Sequence, residues 1–498
     1  MKSPLFTKEH SPLPVSLAMN KKKLSISVIC FIGLFVVANS FLDPDFSWHM
    51  RHGLDILSGH FYFTDPYSYT MPSYPYVDHS WGMSVVFAAL HTKLGLGYAG
   101  VAALCALLST IAIYLVSQNA LWIMPLIAAS YLDNFQARAQ VVSFLFLALL
   151  IILVKKYRDD YRKLFIFVST LMCLWANLHG GFLLGIIYMW GYFVVDVLIF
   201  SNNTAVKHKL QLILLVVMVT LSTLITPYFL GTWKEALSTI INPLNKYVFE
   251  WQPSTRLTSF SLLPIIALFF STLWPTKKVR WLEIFTILLF LNGLISTRVL
   301  PLFALSAGFV IVNGFNAFLG NKKIDQNRMS RVLVISTLCA IVLFLGESVI
   351  NTRNRVVVGQ FAYPTKAVTY IRNNPHEGNI FSLIHWNTYL LWKVPNTKVF
   401  MDGRMIPWRQ NTVPGELTNA FETYILLSLQ KEPLEPTLER FCVTRVLWTS
   451  PTSPSLWLKT IAPINLAEQL DKTQWKPVYE DEVATLYERP LPKTCKSS

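Results

Sequence analysis

The sequence predicts an all-α polytopic membrane protein with about eleven transmembrane helices and a small C-terminal α/β domain outside the cytoplasm. Hydrophobic residues make up 53% of the chain and charged residues only 14%, whereas a soluble protein carries about 25% charged residues. The apolar residues come in long runs separated by short polar or basic stretches, and residues 351–498 lack such runs. We therefore expect residues 24–350 to form the transmembrane module.

Lysine and arginine residues cluster just beyond the apolar runs, at residues 21–23, 155–163, 207–209, 277–280 and 322–331. Because cytoplasmic loops are enriched in these residues, the clusters predict a cytoplasmic N-terminal segment, residues 1–23. The net charge of +15 is not gathered into one patch, as a nucleic-acid-binding surface would require. The sequence thus predicts a multi-pass protein of the cytoplasmic (inner) membrane that does not bind nucleic acid.

The first apolar run, residues 24–42, is long for a signal-peptide core and no small-x-small cleavage site follows it, so we expect a membrane anchor. Segment 81–96 is apolar but short, and His91 and Lys93 interrupt it. We expect it to lie at the interface or to re-enter the outer face, which makes 43–97 one large outer loop. The other predicted spans are 98–116, 120–133, 141–154, 164–178, 181–200, 210–226, 258–273, 281–297, 299–318 and 330–350.

The region 351–498 has the patterns of a small α/β domain outside the cytoplasm. A short amphipathic helix is predicted at 364–374, and buried strands at 379–384, 397–403 and 445–450. Cys442 and Cys495 both lie in this region, where a disulfide between them is one alternative and two free thiols the other.

The start of the first outer loop is rich in aspartate and histidine. Its aspartates are Asp43, Asp45, Asp55, Asp65 and Asp78, and its histidines are His49, His52, His60 and His79. Asp65 and the pair Asp78 and His79 stand in turn-rich stretches with many tyrosines and tryptophans. Such aromatic faces suit sugar rings as well as the membrane interface.

Asp43 directly follows the first span, where a carboxylate at the mouth of a helical bundle is partly desolvated. Desolvation raises the pKa of a carboxyl and its strength as a base, which suits deprotonation of a hydroxyl. The alternative is that Asp43 and Asp45 only cap the next helix, since DPDFSW has proline in a predicted first turn. Another alternative is a divalent-cation site formed by Asp45, His49 and His52, which are spaced to share a helix face.

The predicted topology brings further polar residues to the outer side of the membrane. These are Arg138 in DNFQARAQ, Asn177 and His179 in ANLHGG, and Arg298 in STRVLP. An arginine at membrane depth costs several kcal/mol unless it is paired, so it indicates function. Two arginines and a histidine suit a phosphate near the headgroups. The alternative is that the arginines reach lipid phosphates or pair with the loop acids.

Several motifs together resemble a group of bacterial membrane proteins related to the GT-C glycosyltransferases, the fold class of protein O-mannosyltransferases and lipid A aminoarabinose transferases. The resemblance covers most of the chain, and the motifs that carry it are LDPDFSWHMRHGLDILSGHFYFTDPYSYT, VDHSW, QARAQ, WANLHGGFLLG, TPYFLGTW, FEWQPS and FSLIHWNTYLLWKVPNTKVFMDGRMIPW. Relative to that pattern, Ala139 replaces a proline, and Asn387 and Thr388 replace two glycines. The charged positions are intact.

The resemblance implies a GT-C-like glycosyltransferase that moves a sugar from a polyprenyl-phosphate donor to a glycan, lipid or protein acceptor on the outer face, with inversion. Asp43 would match the catalytic base, with Asp45 beside it. The resemblance implies no obligatory metal, and a divalent cation is left open as an alternative. Residues expected to bind the donor phosphate or the substrates are His49, Asp65, Asp78, His79, Arg138, Asn177, His179 and Arg298.

Two other classes of protein remain as alternatives. A transporter or flippase would use the loop acids and the arginines to line a pathway. A non-catalytic envelope assembly protein would rely more on the DGR segment, residues 402–404, whose simplest interpretation is a turn after a strand.

Overall fold

The computed structural model describes residues 21–118, 120–199, 206–253, 262–273, 280–320, 326–359, 362–453 and 466–495. Residues 1–20 of the predicted cytoplasmic segment and the start of the span predicted at 258–273 lie outside these ranges. The helices of the first part are α1 Lys21–Asn39, α2 Pro44–Leu57, α3 Trp81–Thr92, α4 Gly97–Ser117, α5 Ile123–Tyr131, α6 Val141–Tyr157, α7 Tyr161–Leu178, α8 Phe182–Gly191, α9 Val206–Ser222, α10 Leu230–Ile241, α11 Leu262–Leu273, α12 Trp281–Ile295, α13 Leu300–Gly320 and α14 Gln326–Gly359.

Five helical segments of the described chain are long and apolar enough to cross a bilayer: Lys21–Asn39, Gly97–Ser117, Phe182–Ile199, Thr297–Leu319 and Asn327–Gly359. Shorter apolar helices lie between them, so the count of eleven spans stays a prediction. Large apolar side chains of α14 point outward, among them Val342 at 69% exposure and Val349 at 67%. A surface of this kind needs lipid rather than water around it, as expected for a multi-pass membrane protein.

The span predicted at 120–133 contains only the short helix α5, in which every residue is buried. A helix of this length does not cross a hydrocarbon core by itself, since about 20 residues are needed. At the other extreme, α14 continues to Gly359, past the boundary predicted at residue 351.

The two helices of the first outer loop, α2 and α3, pack tightly against each other. A β-carbon on Gly53 would lie 2.0 Å from the carbonyl oxygen of Ser84, so only glycine permits this approach. Helix α3 is the apolar segment that the sequence placed at the outer face. The hairpin gives the polar side chains of α2 a fixed position.

The C-terminal region forms a four-stranded sheet with flanking helices. Its elements are α15 Thr365–Asn373, β1 Asn379–Ser382, α16 Ile384–Lys393, α17 Ala420–Ser428, α18 Leu434–Arg440, β2 Val443–Thr449, β3 Lys476–Glu480 and β4 Ala484–Glu488. The strand order is β1-β2-β4-β3, with β1 parallel to β2 and the other neighbours antiparallel. The predicted helix at 364–374 and the strands at 379–384 and 445–450 are confirmed. Cys442 and Cys495 form a disulfide, one of the two alternatives that the sequence left open.

The strand predicted at 397–403 is wrong as part of the sheet, because only Val399 pairs, in isolated bridges with Ser68 and Ile380. The bridge to Ser68 joins the first outer loop to the C-terminal domain. Three tyrosines of that loop are buried in the apolar core of this domain: Tyr67, Tyr74 and Tyr76. These rings therefore hold the two parts of the protein together and are not free to stack on a sugar.

Candidate active site

Asp43 is the N-cap of α2 and is completely buried. Its Oδ1 accepts a hydrogen bond of 2.8 Å from the backbone N–H of Asp45, and its Oδ2 accepts one of 2.7 Å from Nε of Arg138. The helix-capping alternative thus holds for Asp43, while Asp45 lies in the first turn of α2. Capping and pairing together fix the Asp43 carboxylate on both of its oxygens.

A chain of alternating charges extends from Asp43 across the outer loops. Arg138 donates from Nη1 to Oε1 of Glu250, and Oε2 of Glu250 lies 3.8 Å from Nη1 of Arg298. We call Asp43, Asp45, Arg138, Glu250 and Arg298 the charge cluster. It brings together three carboxylates and two guanidiniums from four separate stretches of sequence.

The members of the charge cluster differ in their access to solvent. The side chain of Asp43 is 0% exposed and that of Arg138 is 13% exposed, whereas Asp45 is 34% and Arg298 is 32% exposed. Asp45 Oδ2 lies 3.5 Å from Nε of Arg138, and its Oδ1 accepts a 3.3 Å hydrogen bond from Nε1 of Trp48. The carboxylate of Asp45 and the guanidinium of Arg298 are therefore partly accessible to solvent, whereas Asp43 is completely buried and Arg138 largely so.

Burial and charge act differently on the two aspartates. Burial raises the pKa of Asp43 to about 7, because it outweighs the opposing charge of Arg138. Burial also acts to raise the pKa of Asp45, but the charge of Arg138, with smaller effects from His49 and Arg298, outweighs it and lowers that pKa. Asp45 is therefore ionised at neutral pH.

A buried network lies behind the charge cluster. Asp78 Oδ2 is 2.7 Å from Nδ1 of His52 and 2.9 Å from Oγ of Ser84, and Ser84 is 2.8 Å from Nδ1 of His49. Despite burial, the hydrogen bond and charge of His52 hold the pKa of Asp78 well below its usual range. Because Ser84 donates to this carboxylate, His49 must donate from Nδ1 to Ser84, which leaves its Nε2 as an acceptor. Burial lowers the pKa of His49 to about 4, so its ring is neutral.

The rings of His79 and His179 lie edge to face, with centroids 6.1 Å apart. The backbone N–H of Gly181 donates to Nδ1 of His179 at 3.1 Å, which leaves the proton of this neutral ring on Nε2. Burial lowers the pKa of both histidines, that of His179 strongly. The pair therefore offers uncharged imidazoles near the charge cluster, since the charge of Arg298 acts on both rings.

Two predicted substrate-binding residues are held in structural contacts. Asn177 donates from Nδ2 to the carbonyl oxygens of Cys173 and Ile225, both at 2.8 Å, and its Oδ1 accepts a hydrogen bond from Trp81. Asp65 is buried and accepts a 3.1 Å hydrogen bond from Nη1 of Arg404. The sequence predicted that both residues bind a substrate. In the structure their polar atoms bind other residues of the protein instead.

Glu250 was not predicted, although the FEWQPS motif that contains it was noticed. Its position in an outer loop was the available signal, because two arginines on that side require carboxylates. The arginine-pairing alternative is thus realised within the chain. The residues of the metal alternative, Asp45, His49 and His52, make separate contacts with Trp48, Ser84 and Asp78. No group of three or more His, Cys, Asp or Glu residues in the described ranges is arranged to hold an ion.

A groove of about 550 Å³ lies next to Asp43. Leu42 and Tyr98 line it, and the Tyr98 hydroxyl is 3.3 Å from the backbone nitrogen of Asp43. Its other walls come from the ends of two long apolar helices, including Asn39 and Val356, and from Tyr363. The groove therefore lies beside the backbone at the start of α2, next to the completely buried Asp43.

The fold is similar to that of two solved GT-C glycosyltransferases, the class that the sequence motifs also resemble. The structure resembles that of ArnT, an aminoarabinose transferase from Cupriavidus metallidurans, with a TM-score of 0.54, 13% sequence identity, and coverage of 94% of this chain and 98% of ArnT. It also resembles the arabinofuranosyltransferase AftD from Mycobacteria, with a TM-score of 0.52, 12% identity, and coverage of 96% of this chain. The chain spans 40% of the length of AftD. No protein-family model and no curated protein matches the sequence.

Proposed function

We propose that the protein is a membrane glycosyltransferase that moves a sugar from a polyprenyl-phosphate donor to an acceptor on the outer face of the cytoplasmic membrane, with inversion. One observation carries the proposal. The buried pair Asp43 and Arg138 holds an exposed carboxylate, Asp45, and through Glu250 an exposed guanidinium, Arg298. A proton acceptor and an anion-binding group thus share one site.

In this proposal Asp45 accepts the proton of the acceptor hydroxyl while the hydroxyl oxygen forms a bond to the anomeric carbon of the sugar. The bond between that carbon and the phosphate oxygen breaks, and polyprenyl phosphate leaves with the bonding electrons. Arg298 and Arg138 stabilise the phosphate charge. Asp43 is the positioning residue, because its side chain is 0% exposed and both of its oxygens accept short hydrogen bonds within the protein, whereas Asp45 is 34% exposed. Attack opposite the leaving group inverts the anomeric carbon.

The groove beside Asp43 supports a lipid-borne donor. Its walls include the apolar side chains Phe41, Leu42 and Val356 at the ends of α1 and α14. A polyprenyl chain lying there would place its phosphate beside the charge cluster. The neutral rings of His49, His79 and His179 then suit hydrogen bonds to sugar hydroxyls, and no metal is required because the guanidiniums supply the positive charge.

The test uses purified protein in nanodiscs with a panel of radiolabelled pentoses and hexoses on polyprenyl phosphate and crude envelope acceptors. We expect label to leave the lipid fraction, and Arg298→Gln to slow transfer about 10² to 10³-fold, the usual cost of one transition-state donor. The matched control is Arg158→Gln, since Arg158 is 45% exposed, lies in a predicted cytoplasmic cluster and is not a member of the charge cluster. Movement of intact donor across proteoliposomes without cleavage would overturn the proposal in favour of a flippase.

A further inference from the structure

We propose that Gly403, in the C-terminal domain, forms the wall of the acceptor pocket beside Asp45 and determines which acceptor hydroxyls reach it. The inference rests on the proposed function and names a specificity residue for it. A β-carbon at position 403 would lie 3.1 Å from Oδ1 of Asp45, closer than ordinary van der Waals contact. Residue 403 is therefore in direct reach of the carboxylate that meets the acceptor.

The backbone around Gly403 is fixed by a buried ion pair. Asp402 caps the short 3-10 helix Gly403–Met405 by accepting a 2.9 Å hydrogen bond from the backbone N–H of Arg404. The Arg404 side chain binds both oxygens of Asp402, at 2.9 and 2.6 Å, and reaches Asp65 of the first outer loop. Because the Arg404 side chain is only 3% exposed, the turn cannot move away from Asp45 without breaking buried charged contacts.

Space, and not backbone conformation, accounts for glycine at position 403. Its φ is outside the left-handed region that favours glycine, so alanine fits the backbone. The added methyl group would press on Asp45, whose oxygens are held by Trp48 on one side and Arg138 on the other. It would either displace the carboxylate by a few tenths of an ångström or fill the space beside it.

A second element of the same domain also reaches the charge cluster. Helix α16 packs along α2. Its residue His385 is close enough to interact electrostatically with Asp45, Arg138 and Glu250. The C-terminal domain therefore packs against α2 with two segments, the turn at Gly403 and helix α16. An acceptor hydroxyl approaching Asp45 has to pass between the membrane module and this domain.

The test compares Gly403→Ala with Gly346→Ala, a control at which an added β-carbon would meet nothing within 4 Å. Initial rates are measured against acceptor and donor concentration, together with hydrolysis of the donor by water. For Gly403→Ala we expect kcat/KM for the acceptor to fall about tenfold, because small misplacements of reacting groups are costly. We expect the donor KM, the rate of hydrolysis and the unfolding temperature to stay near wild type, and Gly346→Ala to match wild type throughout.

Three results distinguish the inference from the proposed function. Transfer by Gly403→Ala with unchanged acceptor kinetics would overturn the role of Gly403 alone, as would an equal loss of transfer and hydrolysis with a lower unfolding temperature. Failure of the wild-type protein to transfer from any donor would overturn the proposed function itself.

Discussion

Nε of Arg138 lies 2.7 Å from Oδ2 of Asp43, although the two residues are 95 positions apart in the sequence. This contact ties the loop between α5 and α6 to the start of α2. The Asp43 carboxyl is completely buried, so water cannot replace Arg138 as its partner if the arginine is removed. The order of the charge cluster therefore depends on this contact.

Replacing Arg138 by methionine leaves the buried Asp43 carboxylate without its partner. We expect the free energy of unfolding in mixed micelles to fall by about 3 to 5 kcal/mol. Adding Asp43→Asn should recover a large part of this loss, because the unpaired charge is then absent. Arg298→Met, at a position 32% exposed, is the control and should cost under about 1 kcal/mol. Equal losses for Arg138→Met and Arg298→Met would contradict the buried-pair account.

The raised pKa of Asp43 predicts the pH dependence of sugar transfer. As the pH falls through about 7, Asp43 becomes protonated and releases Arg138 from its charged contact. Arg138 then pairs more closely with Asp45, so we expect the transfer rate to fall between pH 8 and pH 6. This fall in rate should be absent in Asp43→Asn, because the residue that titrates is then missing.

Glu235 is the control for this titration. Burial in α10 raises its pKa to about 8, so it titrates in the same range, but it is not a member of the charge cluster. Glu235→Gln should therefore keep the wild-type profile. If the fall in rate between pH 8 and pH 6 persists in Asp43→Asn and disappears in Glu235→Gln, the titrating group is Glu235, which would contradict our account.

The ion pair of Arg404 with Asp65 and Asp402 should determine how firmly the C-terminal domain is held. Arg404→Met leaves two buried carboxylates unpaired, and we expect a loss of about 3 to 5 kcal/mol of unfolding free energy. Limited proteolysis should then cut the loop that carries Asp65 faster than in wild type. Arg440 is exposed, its hydrogen bonds are 3.3 Å contacts to two backbone carbonyls and it lies over the Phe441 ring, so Arg440→Ala should change stability by less than about 0.5 kcal/mol. Wild-type proteolysis rates for Arg404→Met would contradict this role.

The predicted topology can be tested with two exposed positions on opposite sides of the membrane. In a background without the free cysteines, Ser73→Cys should react with an impermeant maleimide added outside intact cells, whereas Asp159→Cys should react only after lysis. Ser73 lies in the first outer loop and Asp159 in a predicted cytoplasmic cluster. Labelling of both from outside would break the predicted orientation.

The sequence alone predicted the helical module and the α/β domain, because hydrophobic runs and strand patterns report burial and solvent directly. The placement of Asp43 on the outer side stays a prediction from the basic clusters. The sequence did not identify Glu250 as the carboxylate between Arg138 and Arg298, since pairing across distant loops leaves no periodic signal. The role of Asp65 was missed for the same reason, because its partner Arg404 is 339 positions away. The strand expected around Val399 was wrong because a buried apolar run looks the same whether it joins a sheet or a single bridge.

The central claim is that Asp45 accepts the proton of the acceptor in a sugar transfer from polyprenyl phosphate. Its most direct test is the single-turnover rate of transfer by Asp45→Asn, compared with that of Asp159→Asn, which lies in a predicted cytoplasmic cluster. We expect Asp45→Asn to slow transfer about 10² to 10⁴-fold, the usual contribution of a general base, while donor binding and the Asp159→Asn rate stay near wild type. Transfer by Asp45→Asn at the wild-type rate would contradict the account.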